Sequence, residues 1–476
     1  MKYLNQFLKT TGVFFIGNIL TKLISFFLLP LYTSRIEPES FGYFDLSISL
    51  LNLIVPLVYF QIWDSVYRYT FDYDTVFEKY IVISNGAVLH LISMFVYSII
   101  FFLVANYVDI DHKHFIYVYG LLFAMQYYYS FVARSLQKNF LLVSTGFLNT
   151  LISLSLNVIL IYFLDMGIVA LYLSFIIGTS IQILFLEYKL KLLLNINIKK
   201  ISIKFIKELI FFALPLCLTT LSYWFLTGIT RVIVSSNLGT YYTGLFAITN
   251  RLSSIVILTV NILQFAWFEL TYSISKEKKK KHYYYNYSIN FIIKVVCFIG
   301  SIFLLIIKLI FPLLIDQQYQ DAIFIVPITF IGVLINSYAS FASTLFLAEK
   351  NSNKLVMPAI TSAFVNVVVL FLLTPYFGLI GATFSLALAF LVNAVIITIN
   401  LININNININ YLSLSAGLLT LICTTVFYYL VDDKGINILG IILLIIASLL
   451  IFKNVFVYLL KEIKVKKIKV KIRKKH

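Results

Sequence analysis

Eight basic residues of this chain stand where no loop accounts for them: Lys22, Arg68, Arg134, Arg231, Arg251, Lys294, Lys308 and Lys453. Each falls within a long apolar stretch or at its end. A cation at the centre of a hydrocarbon layer costs about 2.5–3.5 kcal/mol even on the lenient insertion scale, so a retained one faces a polar cavity or a partner. Arg68, Arg134 and Lys453 lie near the ends of their stretches and can snorkel, and Lys308 can do the same at the opposite end of its own. Lys22 and Arg251 lie deeper, with Arg231 and Lys294 next. These four are the candidate substrate-binding residues. A cavity with excess positive charge suits an anion, phosphate above all, and suits a cationic compound poorly.

Acids within apolar stretches are fewer: Asp45, Asp64, Glu187 and Glu269. Asp64 and Arg68 are four apart, hence on one helix face, and can pair. Asp64, Arg68 and Asp45 are therefore candidates for an ion pair or a coupling site. Pro56 and Pro215 each remove a backbone donor inside a stretch and are candidate hinges. Enzyme signatures such as GxxxxGK[ST], HExxH and GxSxG are missing from the sequence, and no catalytic residue, cofactor or metal is expected. Asp109, Asp111, His112 and His114 cluster in one loop and read as solvated. Cys217, Cys297 and Cys423 all fall in apolar stretches and form no disulfide framework.

The elements that must position these groups are membrane helices. The chain has 476 residues, 61% hydrophobic and 12% charged, where a soluble domain carries about 25% charged residues. About 20 apolar residues cross a hydrocarbon core. Roughly fourteen such stretches are present: 10–33, 42–66, 80–105, 115–133, 142–164, 168–188, 208–234, 242–268, 288–311, 323–347, 355–374, 379–401, 411–431 and 436–457. A β-barrel would need short alternating strands instead. The first stretch is too long for a signal peptide and has no A-x-A site, so it reads as an uncleaved helix. Apart from the eight residues above, only Arg35, Lys113 and Lys434 interrupt a pattern that places all other lysines and arginines in alternate gaps. That is the positive-inside rule, and it puts both termini in the cytoplasm. The net charge of +17 is mostly topological. Its spread over separate loops argues against nucleic acid, and the basic tail can touch anionic lipid.

No loop is large enough for an extramembrane domain, so function is expected within the bilayer. The connection at 189–207 divides the chain into an N-terminal six-helix bundle (1–200), a second six-helix bundle (201–405), and two extra helices with a basic tail (406–476). A faint repeat supports the division. Phe7-Leu8-Lys9 matches Phe205-Ile206-Lys207, and Phe41-Gly42-Tyr43-Phe44 matches Thr243-Gly244-Leu245-Phe246. Arg35 and Arg231 hold corresponding places. Parallel repeats of this kind put a substrate site at their interface. The Ile/Asn run 402–410 reads as low complexity from codon bias rather than as a site, and Tyr283-Tyr284-Tyr285 as interfacial anchors.

Several of these segments resemble the Wzx-type polysaccharide flippases, within the superfamily that also holds multidrug and toxin extruders and lipid II flippases. The resemblance is carried by Gly12-Val13 through Asn18, Leu29-Pro30-Leu31-Tyr32 and Phe41-Gly42-Tyr43. It continues in Arg231-Val232-Ile233 through Leu238-Gly239 and in Gly244-Leu245-Phe246-Ala247, with Thr230 where the family often has an acid. It implies an all-α bundle in a V-shaped arrangement that opens alternately to each side of a bacterial cytoplasmic membrane. It implies as substrate an undecaprenyl-diphosphate-linked oligosaccharide, moved to the outer leaflet for a surface polysaccharide such as O-antigen, lipopolysaccharide or capsule. A polysaccharide polymerase and a chain-length regulator are then expected as partners, beside the lipid-linked oligosaccharide and membrane lipids. Two other readings compete. A cation-coupled multidrug extruder of the same fold needs cavity acids, for which Asp45 and Asp64 are available. A membrane glycan polymerase needs a large outside loop, which this chain lacks.

Overall fold

The structure, a computed structural model, describes residues 26–274, 278–349, 351–405 and 407–451. Its helices are α1 (Leu29–Arg35), α2 (Pro38–Val58), α3 (Ile62–Tyr69), α4 (Val76–Tyr107), α5 (Lys113–Ser135), α6 (Asn139–Val158), α7 (Gly167–Leu190), α8 (Ile203–Thr227), α9 (Ile229–Leu238), α10 (Thr240–Ile274), α11 (Lys278–Leu314), α12 (Val326–Ala348), α13 (Val356–Asn405), α14 (Tyr411–Leu430) and α15 (Lys434–Ile451), with short helical turns between them. No strand occurs among the described residues. Eight helical segments are long and apolar enough to cross a membrane, and Leu414–Leu430 and Lys434–Ser448 are shorter apolar helices. Large apolar side chains such as Leu91, Phe95 and Leu103 on α4, and Leu439 and Leu443 on α15, are exposed. Only lipid makes such a surface favourable, and helices satisfy their own backbone groups there.

Among the described residues, each expected stretch from 42–66 onward is helical, with several helices broken or joined. The stretch 42–66 is α2 followed by α3, and 208–234 is α8 followed by α9. The stretches 355–374 and 379–401 both lie in α13, which reverses at Gly378, where φ is 55° and ψ is −136°. Ser385 Oγ donates to Asn366 Oδ1 at 3.3 Å. Nineteen residues of straight helix would separate them by about 28 Å, so the two halves run antiparallel. Most of the stretch 10–33 lies outside the described residues.

Local chemistry sets the ends. Thr75 and Glu78 close a capping box at the start of α4, satisfying backbone donors left free by the first turn. Pro38 opens α2, where its missing N–H is not needed. Glu187, an acid within an apolar stretch, accepts Leu192 N and Leu193 N at 3.1 Å each and the Tyr129 hydroxyl at 3.0 Å. It caps the short helix that follows α7. Lys308 donates to the carbonyls of Tyr428 and Val431 and, at 3.1 Å, to Asp432, so it neutralises the C-terminal end of α14.

Two buried cores organise the helices. One gathers α2–α5 and α7 around Val55, Tyr59, Trp63, Tyr128 and Leu186, and takes in Leu209 from the first half of α8. The other gathers α10–α14 and reaches back to Leu29, Tyr32, Ile36 and Phe41 of the N-terminal part. Phe44 of α2 packs against both cores, close to where α2 crosses α10. A Cβ on Gly42 would lie 2.0 Å from the Thr240 carbonyl oxygen, and one on Gly244 would lie 2.0 Å from that of Pro38. The two matched sequence motifs therefore meet face to face, with glycine at the point of closest approach. Beside them, Tyr319 OH donates to the Ile36 carbonyl at 2.9 Å, Asp316 N donates to Thr33 Oγ1 at 3.2 Å, and Gln318 Nε2 donates to the Thr33 carbonyl.

The Ile/Asn run has a structural task that codon bias does not describe. Asn408 N donates to Asn286 Oδ1 at 2.7 Å, Asn410 N donates to Asn290 Oδ1 at 2.7 Å, and Asn290 Nδ2 donates to the Asn408 carbonyl at 2.9 Å. The side chains of α11 thus pair with an extended segment and dock the start of α14. Asn290→Leu is expected to lower stability by about 1–3 kcal/mol through the lost and orphaned hydrogen bonds. Thermal unfolding in nanodiscs measures this, and an unchanged midpoint would show that the segment is held by other contacts.

Candidate functional site

Two polar cavities lie against α2. The first, about 420 Å³, is lined by Asp45, Asn52, Gln61, Asp64, Tyr127, Tyr223 and Arg231 among others. The second, about 390 Å³, is lined by Tyr32, Phe44, Tyr119, Ser153, Asn157, Arg251 and Ser254 among others.

Helix breaks shape the first cavity. Pro56 cannot donate to the carbonyl four residues back, and α2 stops at Val58. Phe60 and Gln61 then take left-handed backbone angles, with φ of 50° and 44°. Such angles are unfavourable for side-chain-bearing residues and persist only where neighbours hold them. Gln61 N returns to the Pro56 carbonyl at 2.9 Å, and its side-chain amide donates to Thr220 Oγ1 of α8. The restart at Ile62 places Asp64 in the cavity wall. Across the cavity α8 gives way to α9 at Gly228, where a Cβ would lie 2.4 Å from Trp224 Nε1. That indole donates to the Ser49 carbonyl of α2 at 2.8 Å. Pro56 thus lies at a break, whereas Pro215 sits inside an uninterrupted α8.

The second break delivers Arg231. Its Nε donates to Asp45 Oδ2, its Nη1 donates to the Thr227 carbonyl at 3.1 Å, and its guanidinium lies 5.5 Å from the Phe246 ring centre. Both side chains of this ion pair are about one-fifth exposed. The pair ties α2 to α9 less than two turns from the Gly42–Gly244 crossing. A separation of 186 residues hides it from a reading of sequence alone.

Arg251 is placed differently. Its guanidinium carbon sits 4.5 Å from the Phe41 ring centre and 5.1 Å from that of Tyr32. Asn157 Nδ2 donates to the Tyr32 hydroxyl at 3.1 Å, which fixes one wall of the cage. Arg251 forms no ion pair with any described carboxylate. The aromatic faces stabilise its charge, and the guanidinium borders the cavity with hydrogen-bonding capacity to spare.

The other sequence candidates separate from this pair of cavities. Lys22 lies outside the described residues, as does Lys453. Lys294, on α11, is half-buried and lines neither cavity. Arg68 does not pair with Asp64. It reaches Asp72 at 2.7 Å, because Asp64 points into the cavity wall while Arg68 and Asp72 share the exposed helix end. Arg134 lies over Tyr67 and Phe131, 5.4 and 5.5 Å from the ring centres. Among the described residues no three potential metal ligands converge. Sequence reading missed Tyr32, Gln61 and Asn157, whose ordinary types carry no signal until the helices pack.

Comparison with known proteins places this geometry. Residues 7–268 match the family model described as polysaccharide biosynthesis protein. None of the curated protein sequences matches. The fold overlays the lipid II flippase MurJ in an inward closed conformation with a TM-score of 0.68 at 17% identity, covering 94% of this chain and 99% of that one. It overlays an inward-facing multidrug resistance MATE family transporter of the MOP superfamily with a TM-score of 0.63 at 15% identity, covering 86% and 99%.

Breaking the Asp45–Arg231 pair isolates a half-buried charge. Asp45→Ala is expected to destabilise by about 1–3 kcal/mol, between the values for surface and fully buried pairs. The charge-swapped Asp45→Arg/Arg231→Asp protein should regain part of the loss in thermal unfolding. Additive losses in the double variant would show that the two side chains do not act as a pair.

Proposed function

We propose, from the premise that this chain belongs to the polysaccharide biosynthesis protein family, that it is a flippase for an undecaprenyl-diphosphate-linked oligosaccharide. The observation that carries the reading is Arg251: a cation deep in the helical bundle, caged by Tyr32 and Phe41, without a carboxylate partner among the described residues, on the wall of a cavity. A fixed positive charge of this kind supplies charge-assisted hydrogen bonds to a diphosphate. Asn157, Ser153 and Ser254 beside it offer hydrogen bonds to sugar hydroxyls. The lipid tail has no need to enter, since it can stay in the hydrocarbon.

In this reading the six-helix bundles 1–200 and 201–405 rock against each other in alternating access, with 406–476 appended. The membrane is the bacterial cytoplasmic membrane, with both termini cytoplasmic by the charge pattern. The end sealed by Gly42, Gly244, Thr33 and Gln318 then faces outward, and the cavities are loaded from inside. Asp45–Arg231 is a strut of the outward seal, and Arg231 is freed for the substrate when that seal opens. Lys22 adds to the cationic lining on its sequence position. The product feeds a surface polysaccharide, O-antigen or capsule, in company with a polymerase and a chain-length regulator.

A multidrug extruder is the second reading, favoured by one observation: Asp64 lines a cavity and Arg68 does not neutralise it. Proton- or sodium-dependent dye efflux that vanishes in Asp64→Asn would support it. The flippase reading predicts that cells depleted of the protein accumulate lipid-linked oligosaccharide on the cytoplasmic leaflet and lose surface glycan. The intact gene should restore export, and Arg251→Ala, though expressed in the membrane, should not. Normal leaflet distribution in depleted cells would sink the reading.

A further inference from the structure

Helix α5 carries an aromatic residue at every fourth position: Tyr119, Phe123, Tyr127 and Phe131. Four residues advance about 6 Å along a helix and slightly exceed one turn, so the rings form one slowly winding ladder, each step comparable to the length of one sugar residue. Tyr119 lines the Arg251 cavity, while Phe123, Tyr127 and Phe131 line the cavity of Asp45 and Asp64. The ladder therefore contributes rings to both cavities. Its lower rungs are matched from α3. Trp63 stacks on Tyr127 with ring centres 5.1 Å apart, and Tyr67 meets Phe131 edge-on at 5.8 Å. Arg134 closes that end over Tyr67 and Phe131.

Tyr119 is buried and stacks on Phe175 with ring centres 3.6 Å apart, but the rings below it are not all buried. Tyr127 is 37% exposed, and Tyr223, on the opposite wall of the same cavity, is 64% exposed. The same cavity is lined by the hydrogen-bonding side chains Asn52, Gln61 and Thr220. A pyranose has an apolar C–H face and a rim of hydroxyls. Partly open rings interleaved with amides and hydroxyls are the surface it requires, whereas a lipid tail would gain nothing from the amides.

We infer that the α5 ladder is a glycan track, along which sugars stack while Arg251 holds the diphosphate. The inference rests on the flippase reading and adds to it where the saccharide lies. Stacking on a ring face tolerates many sugars, so the track selects for pyranose units in general.

The test titrates the purified full-length protein in nanodiscs with two probes: farnesyl diphosphate, and the same lipid carrying an N-acetylglucosamine disaccharide on its diphosphate. The wild type should bind the glycosylated probe more tightly, by about two- to tenfold per engaged ring. Phe123→Ala and Tyr127→Ala should erase that preference and leave affinity for the bare diphosphate unchanged, which also shows that they fold. Tyr127→Phe should keep the preference, because the ring face and not the hydroxyl is used. Arg251→Ala should weaken both probes. Equal binding of the two probes by the wild type, a preference that survives Phe123→Ala and Tyr127→Ala, or an equal loss for both probes in those variants overturns the track and leaves the flippase reading standing. Failure of the wild type to bind either probe overturns both.

Discussion

The close crossing of α2 and α10 at Gly42 and Gly244 is the contact on which the remaining geometry hangs. Each glycine leaves room for the other helix's backbone, and a single Cβ at either would collide with a carbonyl oxygen. With the helices this near, Phe41 can lie against Arg251, and Asp45 is carried into reach of Arg231 on α9. Phe44, two residues on from Gly42, packs against both buried cores. Elsewhere they remain distinct, and the polar cavities lie between helices of the two parts. Helix association in lipid draws on close packing and hydrogen bonds more than on apolar burial. That is why small residues and backbone carbonyls, not a large hydrophobic interface, make this contact.

The remaining intramembrane charges can be understood by asking what partner each has found. Glu187 caps a helix, Lys308 neutralises another, and Arg231 has Asp45. Each is a local answer to the cost of a charge away from water. Arg251 has aromatic faces and a cavity, and no anion among the described residues. It thereby stands apart from the cations whose partners are protein carboxylates or carbonyls.

Breaks in helices are the second device. Two left-handed residues after Pro56, and a glycine roofed by an indole at position 228, interrupt spans that their hydropathy presents as continuous. Side chains tie both breaks to the facing helix: the Gln61 amide donates to Thr220 Oγ1, and the Trp224 indole donates to the Ser49 carbonyl. Irregular backbone at membrane depth is tolerated where it lines a cavity, and both breaks line the same one. The aromatic ladder of α5 faces that cavity, so the irregular wall and the regular one complement each other.

Composition and charge order were enough to read the all-α membrane class, the span count and the short list of misplaced cations, because hydrophobic length and the positive-inside bias are properties of local sequence. The glycine motifs were legible as a repeat for the same reason. Partnership was not. Asp64–Arg68 satisfied the local helix rule, yet Arg68 took Asp72, and Arg231 found its acid 186 residues away. The Ile/Asn run looked like compositional noise until Asn286 and Asn290 were seen to pair with its backbone. Pro56 and Pro215 were equivalent by type, and only the packing of α8 against α2 and α3 distinguished a broken helix from an intact one. Sequence alone determined which residues cannot rest in lipid. Tertiary structure decided which of them found a partner, because an ion pair or a cage depends on distances between helices that no local pattern encodes.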